Sequence, residues 1–118
     1  MIASPAMAKD IDGLASNTLG RKTLDPGQIA GEMTALGPRW SLSGSEIQLA
    51  LKLQPMVKAA EVVAAAAKLA DEMDHHPKIV LEYAGITLTI NTHDANGITM
   101  MDLVFAARLE RWLRDKGL

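Results

Sequence analysis

Three histidines are the whole imidazole content of this 118-residue chain, and they fall between positions 75 and 93. His75 and His76 are adjacent and followed by Pro77; His93 lies eighteen residues beyond His75. Carboxylates surround them: Asp71, Asp74, Asp94 and Asp102. Imidazole exchanges protons near neutrality, so such a set suits general acid and base catalysis on a polar substrate. Each residue also has a plainer reading. A histidine at a helix end is often only a favourable partner for the helix dipole. Thr99 and Asp102 have capping-box spacing, which accounts for that carboxylate structurally. Trp40 and Tyr83 read, on spacing alone, as core or edge residues. Three histidines with Asp94 or Asp102 could in principle hold zinc or iron. Adjacent side chains diverge, however, and the chain has no HxH, HExxH or HxxxH spacing, so no metal is expected.

The elements that must position these residues follow from punctuation and periodicity. Asp25 caps and Pro26 opens a short helix over Leu24–Leu36, with Ile29, Met33 and Leu36 as its apolar stripe. Two strands follow around Gly44 and Ser45. In the second, Ile47, Leu49, Leu51 and Leu53 alternate with polar or small residues, the pattern of a sheet with one buried face. An Ala-rich helix runs from about Pro55 to Asp74, its apolar face wider than one sheet needs. Pro77 disfavours helical geometry at His76, so this helix stops at the histidine pair. Strands over Ile79–Tyr83 and Ile86–Thr92 come next, and continuing the alternation puts His93 on the polar side with Thr87, Thr89 and Asn91. A last helix spans about Thr99–Lys116, with Val104, Phe105, Leu109 and Trp112 on its apolar stripe. The order α-β-β-α-β-β-α predicts an α+β fold, a four-stranded antiparallel sheet with helices on one face.

Composition narrows the function classes. The absence of cysteine excludes thiol nucleophiles, thiolate metal sites and disulfide frameworks. A net charge of -2 and no basic stripe argue against direct nucleic-acid binding. Neither a secretory signal nor a membrane span is expected, and the cytoplasm is the default compartment. Only four aromatic residues, Trp40, Tyr83, Phe105 and Trp112, serve a small core, which favours oligomerisation. Residues 1–23 lack periodicity and read as a flexible tail ahead of a single domain over 24–118.

One resemblance draws these features together. The spacing Asp71-x3-His75-His76-Pro77-x5-Tyr83-x9-His93-x8-Asp102, with the words DHHP and LTINTHDANGIT, resembles the signature of the pterin-4a-carbinolamine dehydratases. Trp40 in PRW resembles the family's lead-in to its first strand, and the likeness runs from about Leu24 to Trp112. It implies a dehydratase that removes water from a 4a-hydroxytetrahydropterin, giving the quinonoid dihydropterin that cofactor recycling requires. His75 and His93 would be general acid and base, with His76 holding the substrate. Asp74, Asn91, Thr92 and Asp94 would line the pterin site. Asp71 would orient His75, and Pro77 would end the helix where that histidine points outward; Trp40 and Asp102 would be supporting residues. The pterin is then the substrate, no separate cofactor is implied, and the protein is expected as a homodimer or homotetramer. Leu51, Leu53, Lys78 and Ile79 depart from residues common in the family, which bears on substrate fit and oligomer detail. The alternative is a non-catalytic module of the same fold, a dimerisation cofactor or assembly chaperone with a protein partner.

Overall fold

The computed structural model describes residues 23–118 apart from Asn96, and of Asp94 the backbone only. Helix α1 covers Pro26–Leu36, strand β1 Trp40–Ser43, strand β2 Glu46–Lys52 and helix α2 Met56–Met73. Strands β3 (Lys78–Glu82) and β4 (Gly85–Ile90) follow. A 3-10 turn at His93–Ala95 then leads to helix α3 (Met100–Asp115). All neighbouring strands are antiparallel, in the order β1-β2-β4-β3. This is the expected α+β layout, with its helices on one face of a four-stranded sheet.

The alternation in sequence explains the packing. Trp40, Leu49, Leu88 and Ile79 stand in register across all four strands; Ile47 pairs with Ile90, and Leu51 with Ile86. Side chains two apart share a face, so these rows form the inner surface. Gln48, Thr89 and Lys78 form a row on the outer, polar face. Helix α2 adds Ala59, Val62, Ala66, Leu69, Ala70 and Met73, and α3 contributes the fully buried Phe105, Leu103 and Leu113. The apolar face of α2 extends beyond this stripe, leaving Val57, Ala64 and Ala67 exposed.

Turn chemistry fixes the connections. Asp25 accepts from the Gln28 amide, and the Gln28 side chain accepts from the Asp25 amide, a capping box that starts α1. Gly85 ends the tight turn between β3 and β4 at a φ of 151°; a β-carbon there would lie 2.1 Å from the Leu51 carbonyl oxygen. Only glycine permits that approach of β4 to β2.

Most helix and strand ends fall within a residue or two of the sequence reading, and two of the differences lie close to the histidine-bearing loop. Strand β4 stops at Ile90, two residues before the expected Thr92. Thr92 and Gly97 instead pair with each other and close a loop around the 3-10 turn. Thr23 bridges Thr99, and the Leu24 amide donates to the Ile98 carbonyl at 3.0 Å. The bridge ties Thr23 to the N-cap residue of α3, and residues 1–22 of the expected tail lie outside the described residues.

Candidate active site

The end of α2 determines where His75 goes. Asp74 adopts a left-handed conformation, φ 49° and ψ 47°. The His75 amide reaches back to the Ala70 carbonyl at 3.0 Å, and the Asp74 amide to that of Asp71 at 3.3 Å. These two bonds form a Schellman motif, usually built on glycine, which satisfies the last helical carbonyls and reverses the chain. The reversal carries His75 inward, where it is only 7% exposed, rather than outward as the sequence suggested.

Its imidazole meets the first turn of α3. His75 Nε2 lies 2.5 Å from Oδ1 of Asp102, a residue with no exposed surface. The second oxygen, Oδ2, accepts from the Thr99 amide at 2.8 Å and from the Thr92 hydroxyl at 2.9 Å. The two threonine hydroxyls are 2.7 Å apart, and Thr99 Oγ1 also accepts from the Met101 amide at 3.2 Å. Asp102 therefore serves both readings: it completes the capping box of α3, and it grips His75. A helix N-terminus, with its free amides, is a favourable place for such a carboxylate.

The remaining candidates spread around this cluster. Asp71 lies 3.0 Å from His76 Nε2, with both side chains largely exposed. It therefore does not orient His75, because the i,i+4 relation that would join them requires a helix continuing past Met73. His93 is exposed on the 3-10 turn, one residue after Thr92, and makes no side-chain hydrogen bond among the described residues. Its exposure agrees with the alternation, although the strand ends before reaching it. Thr92 is 1% exposed with its hydroxyl committed to Asp102, so it braces the site instead of lining it. Asn91 and Pro77 are half-buried and Asp74 is exposed. Asp94 lies on the turn, its side chain outside the described residues. Among the described residues no three His, Cys, Asp or Glu side chains gather as metal ligands do.

Trp40 does not belong to this cluster. Its indole donates to Glu110 at 2.8 Å, in a second buried group that sequence reasoning missed. Arg39 grips both oxygens of Glu110, at 2.8 and 3.0 Å, and Arg114 adds a third contact at 2.6 Å. Burial alone pushes the Glu110 carboxyl up, but the bonds from Arg39, Trp40 and Arg114 outweigh it and hold it below the usual carboxylate range. The Glu110–Arg114 spacing was the one local signal, since Arg39 is 71 positions away. Tyr83, part of the signature spacing, is 74% exposed in the β3–β4 turn, at the far end of β3 from His76. A groove of about 210 Å³ between α2 and α3, lined in part by Lys68, Glu72, Arg108 and Trp112, touches none of the histidines.

Fold and site together define a small α+β protein with a carboxylate-held histidine at the junction of two helices and a strand end. The chain belongs to the pterin 4 alpha carbinolamine dehydratase family, whose model matches residues 22–112. A protein of Chloroflexus aurantiacus named "Putative pterin-4-alpha-carbinolamine dehydratase" is 37% identical over 87 residues, 74% of this chain and 92% of its own. A Cyanothece protein of the same name is 38% identical over 69 residues, 58% and 71% of the two chains. The crystal structure of a transcriptional coactivator/pterin dehydratase from Brucella melitensis matches with a TM-score of 0.71 at 27% identity, over 76% of this chain and 97% of that one.

Proposed function

We propose that this protein is a hydro-lyase that converts a 4a-hydroxytetrahydropterin to the quinonoid dihydropterin. The observation that carries the reading is His75, held at Nε2 by buried Asp102 beside the turn that presents His93. The reaction requires a proton delivered to the departing C4a hydroxyl, which leaves as water, and a proton removed from N5. Two imidazoles suffice for that exchange, and positioned groups of this kind are worth about 10²–10⁴-fold in rate. His75 and His93 take these roles. Exposed His76, with Asp74, Asn91 and Asp94 nearby in sequence, contacts the substrate. The pterin is the substrate and no further cofactor is invoked; the setting is recycling of a reduced pterin in the cytoplasm. No helix among the described residues is long and apolar enough to cross a membrane.

The test is loss of 4a-hydroxypterin absorbance in stopped flow. The wild-type protein should accelerate it, and His75→Ala and His93→Ala should each lower the rate by about 10²-fold or more. Near-wild-type turnover in the double variant would sink the assignment.

A second reading is favoured by the coactivator half of the Brucella melitensis protein's name and by the uncovered apolar residues of α2. In that reading the chain self-associates as a dimer or tetramer and also presents a surface to a protein partner. A monomer in sizing chromatography would remove its physical basis.

A further inference from the structure

The hydrogen bonds behind His75 have a direction, and the direction identifies its reactive nitrogen. Backbone amides only donate, so the Met101 amide gives its proton to Thr99 Oγ1 and the Thr99 amide gives its own to Asp102 Oδ2. The Thr92 hydroxyl donates to the same Oδ2. Its proton being committed there, the 2.7 Å contact between the hydroxyls has Thr99 as donor and Thr92 as acceptor. The chain runs one way, from the α3 backbone through Thr99 and Thr92 to the carboxylate. With Oδ2 taken by two donors, Oδ1 is the oxygen left to accept from the His75 ring.

We infer that the Thr99–Thr92–Asp102 chain holds neutral His75 in the Nε2–H tautomer, making Nδ1 the atom that gains and loses the proton, with Thr92 as a positioning residue. Nδ1 has no hydrogen-bond partner among the described residues. No side-chain nitrogen or oxygen among them is both sealed from solvent and unpartnered, and with Nε2 committed to Asp102, Nδ1 is the ring nitrogen left to exchange a proton. This also reassigns Thr92. Its hydroxyl touches no substrate and acts through Asp102. Assigning the proton traffic at Nδ1 to pterin dehydration rests on the function proposed above; the tautomer itself does not.

Long-range proton–nitrogen NMR on histidine-labelled protein, at a pH where the ring is neutral, reads the tautomer directly. The expected wild-type pattern is a protonated, pyrrole-like Nε2 and a pyridine-like Nδ1 for His75. Thr92→Val keeps the side-chain volume but removes the hydroxyl. It should populate the other tautomer and lower kcat on synthetic 4a-hydroxytetrahydropterin about 10- to 100-fold, the loss common for groups that orient a functional histidine. KM should stay near wild type, and Thr92→Ser should restore both readouts. A protonated Nδ1 in the wild type overturns the inference, as does Thr92→Val with unchanged tautomer and kcat. If Thr92→Val does not fold, the wild-type spectrum alone decides. The expected tautomer in a protein without dehydratase activity supports the inference and removes the proposed reaction; turnover with the opposite tautomer does the reverse.

Discussion

Helix α3 carries a buried carboxylate at each of two places, and their partners differ in kind. Asp102, in the first turn, is 0% exposed; Glu110, eight residues on and about 12 Å along the axis, is 2% exposed. Asp102 is held by an amide, a hydroxyl and an imidazole. Glu110 is held by two guanidiniums and an indole. Guanidinium stays protonated throughout the useful pH range, so the Glu110 group has a fixed charge state near neutrality and acts as a clamp on β1, α1 and α3. The Asp102 group instead ends on an imidazole, the kind of side chain that can change charge near neutrality. Burial of an acid is common to both. The titratability of its partner is what separates a clamp from a site.

Neutralising each carboxylate in turn should break the likeness. Asp102→Asn keeps the shape but puts an amide where one oxygen accepted from His75 and the other from Thr92 and Thr99. Dehydratase turnover per folded molecule should fall by about 10²–10⁴-fold, measured in stopped flow. Unmatched donors in the buried cap should cost about 1–3 kcal/mol in denaturant unfolding. Near-wild-type turnover in this variant would place the chemistry elsewhere.

That asymmetry was only partly legible in the sequence. The capping box at Thr99–Asp102, the Asp25–Pro26 helix start and the alternation of β2 were readable because each is a local pattern. His75's inward course was not, since the reversal after α2 rests on Asp74 in a conformation that glycine usually signals. Counting one helical turn back then paired Asp71 with the wrong histidine. The Glu110 clamp joins residues about 70 positions apart, where no spacing rule reaches. Tyr83 shows the converse: a position fixed in a sequence signature stands at the far end of a strand from the histidines.

Glu110→Gln should do the opposite of Asp102→Asn. Breaking a fully buried ion pair costs about 3–5 kcal/mol, but Arg39 is 23% exposed and Arg114 36%, so water screens part of the loss. A fall of about 1–3 kcal/mol in unfolding free energy is expected, with turnover per folded molecule unchanged. A loss of turnover as deep as that of Asp102→Asn would abolish the distinction between the two groups. The pH dependence sharpens it further. The Glu110 carboxyl sits below its ordinary range in the folded protein, so its contribution is complete once the pH lies above the ordinary carboxylate range of the unfolded chain. It is lost as pH falls through the lower folded value. The stability gap between wild type and Glu110→Gln should therefore be constant from neutrality to about pH 5 and narrow in stronger acid. A gap that widened on acidification would reverse the assigned shift.

The smallest effect concerns Asp74, which stands where the fold itself favours another residue. A left-handed backbone costs a side-chain-bearing residue about 1–2 kcal/mol, less for aspartate than for most. Glycine relieves this at some expense in unfolded-state entropy. Asp74→Gly should thus raise the unfolding free energy by a few tenths to about 1 kcal/mol, a small upward shift in Tm. Turnover decides what the aspartate is for. If Asp74 contacts the pterin, the more stable variant should show a raised KM with the His75 tautomer intact, since the Schellman bonds that bring His75 to Asp102 use backbone atoms only. Higher stability with unchanged kcat and KM would reduce Asp74 to a helix terminator. The His75–Asp102 pair and the exposed His93 turn would then be left to account for catalysis without it.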